Sequence, residues 1–390
     1  MKQDTTIVTT GRDPAANHGV VNAPVYHAST ITFPTVTALE EAGRLRFDPG
    51  KTYYGRYGTP TTFGFEESVA ALEGGYRTVT TGSGKAAIVA ALSAFLKAGD
   101  HLLMVDTTYG PTRAFCDKFL TRYGVDTTYY DPLVGAGIAD LIRPETKVVF
   151  TESPGSQTFE VQDVPAIATA AHDADCVVMI DNTWASPLYF KPFAHGCDIS
   201  IQAATKYIVG HSDAMMGTIT TTEAVHDKVR RMAFELGAAA GPDDVYLAQR
   251  GLRTIAVRLE RHMKSALAIA EWLRKRPEVD RVLHPALAGD PGHDLWKRDF
   301  EGASGLFGVI LKDTPKAAVA AMLDGMDLFA MGYSWGGYES LIIPTDPGPM
   351  RTASKWTAAG PSLRLHIGLE DIGDLITDLE AGFARLNAAR

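Results

Sequence analysis

Two near-continuous apolar runs separated by a helical stretch constrain the fold of this 390-residue chain more than any other feature. The runs, KVVFTES at 147–153 and CVVMIDN at 176–182, lack the polar/apolar alternation of a half-solvated strand, which is typical of strands covered on both faces. The segment between them, 164–175 (VPAIATAAHDAD), has a helical pattern. Strands that alternate with helices predict a mostly parallel, doubly wound sheet of the α/β class.

The chain is too long for one compact core, so we expect two domains and a small arm. Residues 1–60 lack sustained periodicity, and we interpret them as an extended N-terminal arm that packs on another surface, in the same chain or in a neighbouring subunit. The strand–helix alternation predicts a larger domain over 61–254. Residues 255–390 mix a strand with amphipathic helices and predict a smaller α+β domain. A long helical segment, 244–276, is expected to break near Gly251.

Composition excludes several classes of function. The net charge of −9 and the absence of a basic patch argue against a nucleic-acid-binding protein. The polar N-terminus has no apolar segment of a signal peptide, and no stretch approaches a membrane span. Three cysteines without a CxxC pair favour a reducing compartment, so we expect a cytoplasmic protein. The histidines show no metal-ligand spacing, and no metal is expected.

The strongest local signal surrounds Lys206 in AATKYIVGHSDAMMG, residues 203–217. Lys206 follows a predicted strand and precedes a Gly-containing turn, and its neighbours are small or apolar. A lysine in such surroundings would have a lowered pKa and would act as a nucleophilic amine that forms an imine with an aldehyde. The alternative is a loop lysine paired with a carboxylate such as Asp213.

Asp181 lies where the second apolar run ends, at the sheet edge where open α/β sheets bind ligands. It precedes Lys206 by one strand–connection–strand unit. A carboxylate there suits the ring nitrogen of pyridoxal phosphate (PLP), whose protonated ring is an electron sink. The alternative is an ordinary turn or helix-capping aspartate.

A Gly-Ser-Gly turn at 82–84 opens a predicted helix, and free backbone N–H groups at such a turn can bind a phosphate. The GxxxxGK[ST] spacing is absent, so the turn is not a nucleotide-binding P-loop; the alternative is a simple helix cap. Tyr109 follows another predicted strand and offers a ring that could stack on a cofactor. Together, residues 83–85, Tyr109, Asp181 and Lys206 predict a PLP site.

On these residues the chain resembles the Cys/Met-metabolism family of fold-type I PLP enzymes, from about residue 5 to the C-terminus. The motifs that carry the resemblance are YYGRYGTPT, DTTYGPT, DNTWASP, QAATKYIVGHSDAMMG, QRGLRT and SLRLHIGLED. Residues 333–343, which begin YSWGG, are most similar to the cystathionine beta-lyase branch of that family.

The resemblance implies a role in cofactor binding for eight residues. Lys206 would carry the cofactor and move protons, Asp181 would pair with the ring nitrogen, and Tyr109 would stack on the ring and aid proton transfer. The phosphate would be held by the backbone N–H groups of Gly84 and Lys85, the Thr205 hydroxyl, and Tyr54 and Arg56 of a neighbouring subunit. Two positions depart from the family pattern: Ala203 replaces a serine, and Lys85 replaces an apolar residue.

The resemblance also implies a substrate site. Arg364 would bind the substrate α-carboxylate, with Ser334 and Trp335 beside it, and Tyr54 and Tyr109 would contribute to substrate binding. The alternatives are an Arg364 paired with Glu370 or Asp371, and a Trp335 that only fills core volume.

The implied activity is β-elimination from an amino-acid thioether, which converts L-cystathionine to homocysteine, pyruvate and ammonia. A γ-lyase, γ-synthase or broader cysteine-S-conjugate lyase reaction stays open as an alternative. The expected assembly is a homotetramer.

Overall fold

The computed structural model describes all residues, 1–390. Its α-helices are α1 (Gln3–Thr9), α2 (Val36–Arg44), α3 (Pro60–Glu73), α4 (Gly84–Phe95), α5 (Gly110–Lys118), α6 (Val164–His172), α7 (Ser186–Tyr189), α8 (Glu223–Glu235), α9 (Pro242–Leu252), α10 (Ile255–Leu273), α11 (His293–Asp299), α12 (Lys316–Leu323) and α13 (Ile372–Ala388). Short 3₁₀ helices lie at Gly55–Tyr57, Leu120–Tyr123, Gly135–Leu141, Pro192–His195 and Gly348–Met350.

Eleven strands form two sheets. They are β1 (Arg77–Thr81), β2 (His101–Val105), β3 (Asp126–Tyr130), β4 (Thr146–Glu152), β5 (Val177–Asp181), β6 (Ile199–Gln202), β7 (Gly217–Thr221), β8 (Val279–Leu283), β9 (Leu306–Leu311), β10 (Leu341–Thr345) and β11 (Ser362–His366). The order is β1-β7-β6-β5-β4-β2-β3 in the larger sheet and β10-β11-β9-β8 in the smaller, antiparallel one.

The larger sheet confirms the predicted α/β class. Four of its six pairings are parallel, and only β7 runs against its neighbours. Successive side chains of its central strands point to two different core clusters: Val148 and Met179 belong to one, and Val149 and Val178 belong to the other. Both faces are therefore covered, which explains why the two apolar runs lack polar positions.

The helical segment at 244–276 breaks where predicted, between α9 and α10. Gly251 lies near the end of α9, and a β-carbon there would come within 2.3 Å of the Val209 carbonyl oxygen. Only glycine allows this close approach, which seats α9 against the loop after Lys206.

The lack of periodicity in the N-terminal segment predicts an extended arm, but the segment is only partly extended. It contains α1 and α2, and α1 packs on α3 with Ile7 buried. Arg253 donates hydrogen bonds to the Ile7 and Thr10 carbonyl oxygens, which fixes the end of α1 to the body of the chain. The sequence missed α1 because a helix of seven residues shows too little periodicity. The domain boundaries at residues 60 and 254 stay predictions.

Residues 346–361, here called the strap, connect β10 to β11 and reach across to the larger sheet. Backbone N–H groups of Thr352, Ala353 and Ser354 donate to the Asp106 carboxylate at 3.0–3.1 Å. Arg351 forms an ion pair with Glu160 at 2.9 Å. The strap thereby ties the smaller sheet to the end of β2, three residues before Tyr109.

No helix of the chain combines the length and the apolar character needed to cross a membrane.

Candidate active site

The functional side chains predicted from strand ends meet at the carboxyl edge of the larger sheet. Asp181 ends β5, Lys206 lies four residues after β6, and Tyr109 lies four residues after β2. Since β2, β4, β5 and β6 are parallel, their carboxyl ends share one edge. Arg364 on β11 reaches this edge from the smaller sheet, since it donates to the carbonyl oxygen of Ser334, whose hydroxyl accepts from Lys206.

Lys206 is held by contacts with the segment before β10. Its Nζ donates a hydrogen bond of 2.6 Å to Ser334 Oγ and lies 5.3 Å from the centre of the Trp335 ring. Burial lowers the pKa of Lys206 to about 8, with help from the positive charge of Arg364 and against the carboxylate of Asp181. Lys206 forms no ion pair with Asp213, so that alternative is not what the fold adopts.

Asp181 forms a turn and also faces the site. Its Oδ1 accepts hydrogen bonds from the Thr183 backbone N–H at 3.1 Å and from the Thr183 hydroxyl at 2.5 Å. Thr183 Oγ1 accepts in turn from the Ala203 N–H, which links Asp181 to the loop that carries Lys206. No hydrogen bond within the chain reaches Oδ2. Burial raises the pKa of Asp181, and the bonds from Thr183 and the charge of Lys206 oppose that rise.

The turn before α4 is a helix cap that also leaves backbone N–H groups free for an anion. Ser83 Oγ accepts from the Ala86 N–H, as the capping alternative requires. The backbone N–H groups of Gly84 and Lys85 have no hydrogen-bond partner within the chain, as is usual in the first turn of a helix. A β-carbon on Gly84 would lie 2.6 Å from the Ala203 β-carbon. The Ala203 departure therefore lies directly against this turn, and the exposed side chain of Lys85 forms no ion pair.

Thr205 is bonded to Met216. Its Oγ1 accepts from the Met216 N–H at 3.0 Å and donates to the Met216 carbonyl oxygen at 3.2 Å. Reaching a phosphate would require the hydroxyl to give up the second of these bonds.

Tyr109 is the N-cap of α5, and it lies close enough to Asp181 for that charge to act on its phenol. Its backbone N–H donates to Glu152 Oε2 at 2.7 Å. Burial raises the pKa of the phenol, as do the negative charges of Asp181 and Glu152, while Arg364 opposes them. Tyr109 is 46% exposed, so a ligand can reach it.

Ser334 joins the lysine to the arginine. Its hydroxyl accepts from Lys206, and its carbonyl oxygen accepts from Arg364 Nη2 at 3.1 Å. Ser334 has φ +83° and Gly336 has φ +87°, so the segment turns sharply against the Lys206 backbone. The Gly336 N–H donates to His366 Nε2, which secures the turn.

The alternatives for Arg364 and Trp335 fare differently. Arg364 does not pair with Glu370, which accepts from Ser340, or with Asp371, which caps α13. Trp335 does fill volume, 5.4 Å from the Tyr207 ring, but it also faces Lys206.

Tyr54 and Arg56 lie outside this group within one chain. Arg56 donates to the Phe234 carbonyl oxygen, and Tyr54 is 42% exposed. Buried Arg230 donates to the carbonyl oxygens of Phe47 and Tyr57, which fixes both ends of the segment that carries them. Their role in a neighbouring subunit stays a prediction.

The sequence analysis missed Glu152, the last residue of β4. It is opposite Asp181 in the β4–β5 register and accepts from Tyr109, Thr108 and Ser156. A signal was present, because KVVFTES ends in an acidic residue just as CVVMIDN does.

These groups fit pyridoxal phosphate. A lysine amine with a lowered pKa suits its aldehyde, the free Oδ2 of buried Asp181 suits its ring nitrogen, and the unpaired N–H groups at Gly84 and Lys85 suit its phosphate.

Comparison with known proteins agrees with a pyridoxal phosphate site. The family model for Cys/Met metabolism PLP-dependent enzymes matches residues 4–384. The chain is 47% identical to cystathionine beta-lyase MetC of Escherichia coli over 99% of both chains. It is 47% identical to cystathionine beta-lyase of Salmonella typhimurium over 98% of both. The crystal structure of metB from Corynebacterium glutamicum superimposes with a TM-score of 0.90 at 31% identity, covering 99% of this chain and 98% of that one. The chain therefore belongs to the Cys/Met metabolism family of PLP-dependent enzymes.

Proposed function

We propose that this chain is a carbon–sulfur β-lyase that cleaves L-cystathionine, with water, to homocysteine, pyruvate and ammonia, and so supplies homocysteine for methionine synthesis. The observation that carries the proposal is the Lys206–Ser334–Arg364 arrangement beside Asp181. The similarity to cystathionine beta-lyases over nearly the whole chain supports it.

Arg364 is suited to bind the substrate α-carboxylate. Only its Nη2 hydrogen-bonds within the chain, to the Ser334 carbonyl oxygen, so most of the guanidinium fork is free for a carboxylate. Ser334 and Trp335 line the same proposed substrate site. A substrate bound there lies next to Lys206.

Lys206 is suited to remove the α-proton. A pKa of about 8 leaves a useful fraction of neutral amine near neutral pH, whereas an ordinary lysine would be almost fully protonated. Pyridoxal phosphate, when bound, supplies the electron sink that makes this proton acidic. Asp181, buried opposite the lysine, would keep the ring nitrogen protonated.

Tyr109 is the remaining side chain of the proposed site. Its raised pKa keeps the phenol protonated at neutral pH, so it can donate a proton. In that state it would assist departure of the homocysteine thiolate, and its exposed ring face would stack on the cofactor.

The phosphate site would be shared between subunits. Gly84, Lys85 and Thr205 would supply its near side, and Tyr54 and Arg56 of a neighbouring subunit its far side. This requires at least a dimer, and we propose a homotetramer. The three cysteines are free and buried, which suits a reducing, cytoplasmic location.

Product analysis with L-cystathionine tests the proposal. Pyruvate and homocysteine are the expected products. Formation of 2-oxobutyrate and cysteine would instead assign the chain to γ-elimination, and condensation of O-acetylhomoserine with cysteine would assign it to γ-synthesis. A Lys206→Ala control should form none of them.

A further inference from the structure

Glu152 occupies a place that the proposed reaction does not by itself explain. It ends β4, it is buried, and both of its carboxyl oxygens are engaged: Oε2 accepts from the Tyr109 backbone N–H at 2.7 Å, and Oε1 accepts from the Ser156 hydroxyl at 2.5 Å. Thr108 Oγ1 adds a longer bond of 3.3 Å to Oε2. The carboxyl group is thus fully used in holding two turns.

The two turns that Glu152 joins are the ones that end β2 and β4. The Ser156 N–H donates to the Thr107 carbonyl oxygen, and a β-carbon on Gly155 would lie 2.2 Å from Thr107 Oγ1. The turns therefore interlock, with glycine required at the contact. Glu152 is the side chain that connects this contact to Tyr109.

The bond to Tyr109 fixes more than a backbone atom. Tyr109 is the residue that precedes the first turn of α5, so its N–H direction sets how the chain enters the helix. The side chain of the same residue lies close enough to Asp181 and Arg364 for both charges to act on its phenol. A shift of this turn would move the ring relative to the site.

We propose that Glu152 is a positioning residue: its carboxyl group holds the backbone of Tyr109 so that the phenol ring lies over the cofactor. The inference rests on the proposed function, because the role of Tyr109 beside the cofactor is itself part of that proposal.

Charge is the competing explanation. Glu152 and Asp181 are neighbours across the parallel β4–β5 pair, and burial and the charge of Asp181 raise the pKa of Glu152. If Glu152 acted on the site only through an electrostatic effect on Asp181, its hydrogen bond to Tyr109 would be incidental.

Two single substitutions separate reach from charge. Glu152→Gln keeps the length of the side chain and an oxygen that accepts from Tyr109, but it cannot ionise. Glu152→Asp can still ionise, but it is one methylene shorter and withdraws the acceptor. The readout is the dissociation constant of pyridoxal phosphate for the apo protein, followed by the visible absorbance of the bound cofactor.

Positioning predicts that Glu152→Asp weakens cofactor binding about tenfold, the effect of one lost hydrogen bond, and that Glu152→Gln stays within about threefold of the wild type. It also predicts that Glu152→Asp adds little to Tyr109→Ala, since the ring that would be displaced is then gone. Any other ranking of the two variants, or additive effects with Tyr109→Ala, overturns the proposal.

Asp378→Asn is the matched control for stability. Asp378, on α13, is also buried and accepts from the backbone N–H groups of Asp327, Leu328 and Phe329, which follow α12. The Asp378→Asn substitution should lower the temperature of unfolding and leave the cofactor dissociation constant unchanged. A wild type that binds the cofactor but does not cleave L-cystathionine would defeat the proposed function alone, because the ranking of the Glu152 variants needs no turnover.

Discussion

Lys206 Nζ donates a 2.6 Å hydrogen bond to Ser334 Oγ, and the two residues lie in loops that adjoin different sheets. Lys206 follows β6 of the larger sheet, and Ser334 precedes β10 of the smaller one. Arg364, on β11, binds the carbonyl oxygen of the same serine. The proposed catalytic lysine and the proposed carboxylate-binding arginine are thus brought together only when the two sheets pack against each other.

The lowered pKa of Lys206 predicts how the apo protein reacts with pyridoxal phosphate. Only the neutral amine is nucleophilic, so the rate of covalent attachment should rise with pH to a midpoint near 8. Burial is the main cause of the low pKa and Arg364 the next, so Arg364→Gln should move the midpoint upward. Attachment can be trapped with borohydride and located by mass spectrometry. A midpoint near that of an ordinary lysine would contradict the expectation.

Ser334 allows its hydroxyl and its backbone to be tested separately. Ser334→Ala and Ser334→Gly both remove the acceptor for Lys206, so both should lower kcat/KM to a similar extent, about tenfold. At φ +83°, however, glycine is unstrained and alanine is not. Urea denaturation should show the glycine variant to be more stable by about 1 kcal/mol. Equal stabilities would mean that the turn relaxes in the variants.

Asp106→Asn should loosen the strap. The Asp106 carboxylate is fully buried and pairs with Arg113 and Arg351, so its neutralisation is expected to lower the free energy of unfolding by about 3 kcal/mol at neutral pH. Glu160→Gln, which removes the more exposed partner of Arg351, should cost about 1 kcal/mol or less. Urea denaturation of both variants measures the difference. Similar values would show that the strap is not held through Asp106.

The same carboxylate gives a pH dependence whose sign can be worked out. Burial raises the pKa of Asp106, but hydrogen bonds from Thr352, Ser354 and Ala353 outweigh burial and hold the pKa below its usual value. A lowered pKa in the folded state stabilises the fold above the unfolded pKa of about 3.9, and this contribution is lost as pH falls through the folded pKa. The difference in stability between the wild type and Asp106→Asn should therefore narrow below about pH 4.

A shared phosphate site predicts complementation between inactive variants. Arg56→Ala and Lys206→Ala should each lose most of their activity alone. When the two proteins are unfolded together and refolded, some interfaces should pair an intact Lys206 site with an intact Arg56 from the other subunit. Activity should return to about one quarter of that of the wild type, by random pairing of the two chains in a dimer. Mixtures that stay inactive would place Arg56 outside the site.

The residues at the larger sheet were predictable because one rule locates them. Asp181, Tyr109 and Lys206 each follow a strand, and parallel strands end at the same edge. The same rule applies to Glu152 and was not followed. By contrast, Ser334 and Arg364 came only from the family resemblance, since no local pattern tells how a second sheet packs against the first.

Strands β1 and β7 escaped prediction for a chemical reason. RTVTT and GTITT are rich in threonine, which looks polar in a hydropathy pattern, yet Thr78 and Thr220 are buried. The hydroxyls of Thr78 and Thr220 lie 2.9 Å apart in a mutual hydrogen bond across the two strands. Side chains that satisfy each other in this way can line a core without being apolar.

The position of Trp335 has an optical consequence. Of the five tryptophans in the chain, it is the one whose indole faces the Lys206 amine, at 5.3 Å. A chromophore attached to that amine would quench the emission of this neighbouring indole strongly. The chain thus carries its own fluorescent reporter of cofactor loading, and a Trp335→Phe variant would identify its share of the signal.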